Sequence, residues 1–146
     1  VRVRLDGVWR EIGAGRIRIN NTWRPLTRAR AYVSGAWREV AVFTPPLSVT
    51  VTPESVLGFR SGPGSVTTDS TTATPLGGLG PYSYSWARVG AGTAVATAPT
   101  SATTAFQRTL GTGDDVTETW RVTVTDGLGG TATYDVLATF NSLDPF

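Results

Sequence analysis

The residues whose types and spacing could do chemistry lie in the first 44. Trp9, Trp23 and Trp37 stand 14 residues apart, and each is followed by an arginine: Arg10, Arg24 and Arg38. A second set, Arg2, Arg16 and Arg30, keeps the same spacing. A guanidinium forks onto carboxylates and phosphates, and an indole offers a large flat apolar body. The chemistry on offer is recognition of something anionic rather than bond making. All 13 basic residues are arginine, and the chain has no His, Cys, Met or Lys. The commonest general base and the thiolate nucleophile are both missing, and so is the lysine of a Ser–Lys pair.

The acids offer little more. Asp114, Asp115 and Glu118 are the densest group, in or next to the turn Gly111-Thr112-Gly113-Asp114. They read as solvated turn residues, because Asp and Gly supply the local hydrogen bond and the backbone freedom of a turn. Asp126 and Asp135 flank the last hairpin and could give calcium its oxygen ligands, but Asp126 precedes Gly127 and reads first as a turn former. Asn20-Asn21-Thr22 matches a glycosylation sequon and also a tight turn, which explains it more economically. No Gly-rich phosphate loop follows a strand and opens a helix. No catalytic residue, metal ligand or cofactor is assigned, and the chain is not expected to be an enzyme.

The elements that carry the Trp/Arg spacing repeat with it. The units are Arg4-Leu5-Asp6-Gly7-Val8-Trp9-Arg10-Glu11-Ile12, Arg18-Ile19-Asn20-Asn21-Thr22-Trp23-Arg24-Pro25-Leu26 and Tyr32-Val33-Ser34-Gly35-Ala36-Trp37-Arg38-Glu39-Val40. Asp6-Gly7, Asn20-Asn21 and Ser34-Gly35 are the residue types that two-residue hairpin loops require, so each unit is predicted to be a short β-hairpin. Alternation puts Val3 and Leu5 on one face and Arg2 and Arg4 on the other. Pro25, where the other copies have Glu11 and Glu39, predicts an edge position or a bulge. One hairpin is marginal in water, so three are expected to close into a small three-fold β assembly, within one chain or completed by neighbours. Trp9, Trp23 and Trp37 are then the repeat core; the alternative is a set of exposed platforms for sugar or nucleic acid. The six arginines form a docking set or solvated outward faces.

Charge changes sign along the chain. Residues 1–44 hold nine Arg against three acids, a net +6, and residues 45–146 hold four Arg against eight acids, a net −4. A basic head on an acidic body suggests that the head meets an anionic partner. Thr44-Pro45-Pro46 makes a stiff extended joint, dividing the chain into a repeat block at 1–44 and a second domain at 45–146. No apolar run reaches the length of a membrane span, no secretory signal pattern is expected at the start, and Val1 fits a removed initiator Met or a trimmed precursor.

No window of the second domain carries a helical period. Leu47, Val49 and Val51 alternate with Ser48 and Thr50 up to Pro53, and a turn cluster is predicted over Gly58–Gly64. A Thr-rich strand follows from Ser65 to Thr74, closed by Pro75, and Tyr82, Tyr84 and Trp86 share one face. Trp120, Val122 and Val124 alternate with Arg121, Thr123 and Thr125, and Ala132, Tyr134, Val136, Ala138 and Phe140 line the last strand. Trp86, Trp120 and Tyr84 are the predicted sandwich core. Some seven strands with turn signals over this length predict an immunoglobulin-like β-sandwich, so the whole chain is expected to be all-β: a hairpin repeat block, then the sandwich.

Two stretches extend this to a family. Gly80-Pro81-Tyr82-Ser83-Tyr84-Ser85-Trp86 and Trp120-Arg121-Val122-Thr123-Val124-Thr125-Asp126-Gly127, followed by Gly129-Gly130-Thr131-Ala132, resemble the Ig-like and PKD-like domains of tailed-bacteriophage virion proteins. The repeat block is similar to the hairpin repeats of phage structural proteins, in which a strand, an Asp-Gly or Asn-Gly turn and a Trp recur. Ala87-Arg88-Val89-Gly90 departs from the Gly-Asp-Gly that often follows the Trp in PKD domains, so the calcium or glycan chemistry of such loops is not carried over. The resemblance implies a virion structural protein on the exposed particle surface, tail-associated (baseplate or fibre), or else a capsid decoration or head fibre. A carbohydrate-binding adhesin module is the other alternative. The implied partners are other virion proteins, further copies in a homo-oligomer or symmetric ring, and possible host surface glycans. Nucleic acid is not expected as a partner, and no membrane span is expected.

Overall fold

The computed structural model describes residues 2–5, 8–11, 16–19, 22–25, 28–42 and 44–143; for residues 1–43 it describes the backbone alone, except at 34–36 and 38. Every regular element among the described residues is a strand, and the protein is all-β. The chain divides into two compact units, Val1–Pro45 and Pro46–Phe146, so the division falls inside the predicted Thr44-Pro45-Pro46 joint.

The described residues of the first unit form six strands: β1 (Arg2–Leu5), β2 (Val8–Glu11), β3 (Arg16–Ile19), β4 (Thr22–Pro25), β5 (Arg28–Val33) and β6 (Ala36–Val42). They pair as β1-β2, β3-β4 and β5-β6, three separate antiparallel two-stranded sheets. The innermost pairs are Leu5↔Val8, Ile19↔Thr22 and Val33↔Ala36, which leaves two residues to join each pair of strands. In the third hairpin those residues are Ser34 and Gly35, with φ of 51° and 82°. Positive φ at both positions gives a turn whose twist matches the strands, and Gly adopts it without a Cβ penalty. The predicted turn pairs Asp6-Gly7 and Asn20-Asn21 lie outside the described residues. Pro25 closes the outermost pair of its two-stranded sheet, opposite Arg16, where a missing N–H interrupts no central ladder. Ala29 pairs with Ala41 and Arg30 with Glu39, so Val40 is the extra residue of a bulge.

The second unit begins with β7 (Ser48–Thr52), β8 (Ser55–Ser61), β9 (Gly64–Thr67), β10 (Thr71–Leu76) and β11 (Ser83–Val89). It continues through β12 (Val95–Ala96), β13 (Thr103–Thr104), β14 (Phe106–Leu110), β15 (Asp115–Thr125) and β16 (Thr131–Leu143). One layer is a four-stranded sheet of order β11-β15-β16-β8. The facing layer is two short ladders, β13-β10-β7 and β12-β14-β9. They are successive stretches of the same strand pair: between Thr67↔Gln107 and Thr71↔Thr104 one side advances four residues while the other advances three. That single extra residue is a bulge. It is bridged by Thr68, whose N–H donates to Phe106 O at 2.9 Å and whose Oγ1 accepts from Phe106 N at 3.0 Å. The resulting layers have the strand order of an immunoglobulin sandwich.

Two sequence readings need correction here. Gly58 to Gly64 is not one turn cluster: Ser55–Ser61 is strand β8, which pairs in parallel with β16 from Leu137↔Ser55 to Leu143↔Ser61. Gly58 is there because β8 runs against β9; a Cβ on it would sit 2.6 Å from Val66 Cγ1 and 3.0 Å from Thr67 backbone. Likewise the run Ser65–Thr74 is broken at the bulge, and Pro75 stands inside β10, opposite Val49, rather than after the strand.

The core follows from alternation. Inward residues of β15 (Trp120, Val122, Val124) and β16 (Val136, Ala138, Phe140) meet Val66, Ala73, Phe106 and Leu110 of the other layer. Phe106 is 0% exposed; its ring stacks on Trp120 at 4.6 Å and 25° and meets Trp86 edge-on at 5.9 Å and 71°. Replacing Phe106 by Ala is expected to destabilise the second unit by about 4 kcal/mol, read from the urea unfolding midpoint of the full chain, while Phe106→Leu costs less than half of that.

Candidate docking surface and the polar centres of the sandwich

In the first unit the register decides which residues share a face. Directly paired residues of an antiparallel ladder lie on the same side, and so do residues two apart. One face of the first hairpin therefore holds Arg2, Arg4, Trp9 and Glu11, and the other holds Val3, Leu5, Val8 and Arg10. The second divides into Arg16, Arg18, Trp23 and Pro25 against Ile17, Ile19, Thr22 and Arg24. The third divides into Arg28, Arg30, Tyr32, Trp37 and Glu39 against Ala29, Ala31, Val33, Ala36 and Arg38.

The six arginines are thus not one set. Arg2, Arg16 and Arg30 occupy the tryptophan face, and Arg10, Arg24 and Arg38 occupy the aliphatic face. Arg38 and Ala36 are exposed. The side chains of Trp9, Trp23 and Trp37, and so their reading as a repeat core, lie outside what is described.

In the sandwich Trp86 and Trp120 are each 4% exposed, and Tyr84 is half-buried against the same core. The indole N–H of Trp86 donates to Ser101 O at 2.9 Å. Aromatic rings buried in this way cannot stack on a sugar.

Glu118 is a correction. It lies within β15, not beside the turn, and its side chain is 3% exposed. It forms an ion pair with Arg108, lies 4.0 Å from Arg88 Nη1, and accepts the backbone N–H groups of Thr93 and Ala94 at 3.1 and 3.3 Å. Arg88 Nη1 in turn donates to Ala94 O at 2.8 Å. A Cβ on Gly92 would fall 2.5 Å from the Glu118 carboxyl carbon, so this loop comes close only because residue 92 has none. The signal was present in the sequence: Val116, Glu118, Trp120, Val122 and Val124 alternate without a break, which puts the carboxylate on the tryptophan's side. The arrangement pins the loop between β11 and β12 to the sheet.

Asp126 holds two loops at one end of the sandwich. Its carboxylate accepts from Gly130 N at 2.7 Å, Leu128 N at 3.0 Å and Leu79 N at 3.2 Å, while Gly127 N donates to Leu79 O at 2.6 Å. Burial opposes the charge, but the N–H groups of Gly130, Leu128, Leu79 and Gly129 outweigh it and hold the carboxyl below its usual range. Asp135 does not share a metal site with it. It pairs directly across the ladder with Arg121, at 2.6 and 2.7 Å, and the hydrogen bond from that guanidinium holds its carboxyl below the usual range although desolvation opposes this. The pair is about half exposed and contributes little to stability. Among the described residues no group of three potential metal ligands comes together. Asp114 caps its own turn, accepting from Gly111 N at 2.6 Å. In the sequon, Thr22 pairs with Ile19, and Asn20 lies outside the described residues.

No protein-family model matches this chain, and no curated protein matches it. Among solved structures, a conjugative transposon lipoprotein from Bacteroides eggerthii is similar over 64% of this chain and 96% of its own, with 15% identity and a TM-score of 0.37. A likeness of that size bears on neither fold nor function.

Two outcomes test these centres. Glu118→Ala leaves two guanidiniums facing each other and a loop without its acceptor, and is expected to cost about 3 kcal/mol in urea unfolding. Asp126 has a lowered folded-state pKa, so its contribution is present above the unfolded value of about 3.9 and lost as pH falls through the folded one. The thermal midpoint of Asp126→Asn should therefore lie below wild type at pH 7, and the two should converge as pH drops below 4.

Proposed function

We propose that this chain is a structural protein of a tailed-phage virion, associated with the tail at a baseplate or fibre. In this reading the basic repeat block anchors on other virion proteins. The immunoglobulin-like domain is exposed and makes weak contact with the host surface. What carries the reading is the order of parts: three hairpins of matched register with a net +6, then a sandwich with a net −4. A charged repetitive head suits attachment, because Trp and Arg are the side chains that most often anchor protein interfaces. The polar centres of the sandwich support a non-catalytic role, since Glu118 and Asp126 are engaged in holding loops. Any contact with host glycans would fall to loops and sheet faces, since Trp86 and Trp120 are buried. The chain acts as a homo-oligomer or as one member of a symmetric ring, because a single hairpin ribbon does not bury its own faces.

Immunogold labelling of purified particles of the source virus, with antibody raised against residues 46–146, tests this. Gold on the tail is the expected result. Gold on the head replaces the tail assignment with capsid decoration or a head fibre, and unlabelled particles that also lack the chain by mass spectrometry overturn the virion reading.

A further inference from the structure

We propose that the anchoring contact is made by the tryptophan face of the hairpins, that it centres on the middle hairpin, and that its partner is an acidic protein surface. The inference rests on the anchoring role above and adds where the contact lies and what meets it. Registers of the three ladders carry it. Arg2 is paired directly with Glu11, and Arg30 with Glu39, but Arg16 is paired with Pro25. Opposite charges at paired positions offset one another. Counting each tryptophan face, the first hairpin has two Arg against one Glu, the third has Arg28 and Arg30 against one Glu, and the second has Arg16 and Arg18 with no acid. In the same order the net charges are +1, +1 and +2, so the electrostatic peak falls on the middle copy. The substitution of Pro25 for glutamate, which a strand tolerates only at an edge, is what creates that peak.

The aliphatic face has no such contrast: each hairpin places one arginine there, Arg10, Arg24 and Arg38, at equivalent positions. The aliphatic faces carry the same charge in all three hairpins, and the tryptophan faces do not.

The composition of the tryptophan face also selects the partner's class. A groove for nucleic acid tracks a continuous polyanion and is lined by one sign of charge. Here Glu11 and Glu39 stand on the tryptophan faces of the first and third hairpins and would meet phosphates with like charge. A protein surface can present carboxylates to Arg16 and Arg18 and donors to Glu11 and Glu39, and specificity of that kind comes from charge patterning.

The test uses the full chain and two fluorescent probes, poly-L-glutamate and an oligo-dT strand of equal charge, followed by anisotropy at low salt. Wild type should bind poly-L-glutamate more tightly than oligo-dT. Arg16→Ala/Arg18→Ala should weaken poly-L-glutamate binding at least tenfold, although it removes only two charges. Arg10→Ala/Arg24→Ala/Arg38→Ala removes three and should weaken it about threefold. Arg16→Lys/Arg18→Lys keeps the charge and should retain most of the binding, which separates a lost contact from a lost fold. The proposal is overturned if the aliphatic-face variant costs more than the middle-hairpin variant, if wild type ignores poly-L-glutamate, or if oligo-dT is the tighter ligand. Particle labelling is independent of these results. A chain absent from particles but showing the Arg16/Arg18 effect removes the virion role and leaves the acidic partner, whereas a chain present on the tail without that effect leaves the anchoring role and removes this centre.

Discussion

The sandwich depends on one contact between its layers, the ring of Phe106 between Trp120 and Trp86. Many small β-sandwiches tie their sheets with a disulfide, but this chain has no cysteine. The two tryptophans come from adjacent strands of the four-stranded sheet, β11 and β15, and the phenylalanine from the facing layer. Aromatic side chains remove large apolar areas from water, and offset or edge-on geometry adds to that burial. The bulge beside Phe106 is part of the same arrangement. By absorbing one extra residue at Thr68–Ser70, it keeps Thr71, Ala73, Val66 and Phe106 all directed to the core while the strand pair continues past it.

Polar groups inside this frame serve the loops. Glu118 stands two residues from Trp120 on the same inward side, and its charge is met by Arg108, Arg88 and the N–H groups of the 93–94 backbone. A carboxylate placed there without those partners would be severely destabilising. Asp126 works at the opposite end of β15 by the same logic with backbone donors alone. Between them the two acids fix three loops, and an acidic net charge in this unit is compatible with a stable core because several of its carboxylates are already engaged.

The hairpin unit obeys a different constraint. Each two-stranded ribbon has two faces and two edges, so the placement of residues is decided by pairing alone. That pairing puts arginine and tryptophan together and leaves valine, leucine and isoleucine on the reverse. A division into apolar core and basic exterior, as alternation along one strand suggested, is thus incomplete. Alternation separates Arg2 and Arg4 from Val3 and Leu5, but only the partner strand shows that Trp9 lies with the arginines.

The sequence by itself determined the local structure: the 14-residue hairpin period, the Ser34-Gly35 turn, the division at Pro45-Pro46, and the inward runs of β15 and β16. Each follows from interactions between residues close in the chain, through turn chemistry and the two-residue period of a strand. The tertiary structure alone decided what distant residues do to one another. It set the parallel pairing of β8 with β16, the place of Gly58 against Val66, the bulge opposite Phe106, and the partners of Glu118 and Asp126. Most of these contacts join different strands or loops, from Gly58 against Val66 to Ser55 opposite Leu137, and period-two alternation says which side a residue takes without saying what it will meet there. The Trp/Arg spacing shows both limits at once: its period was legible from the order of residues, and its division into two faces required the register.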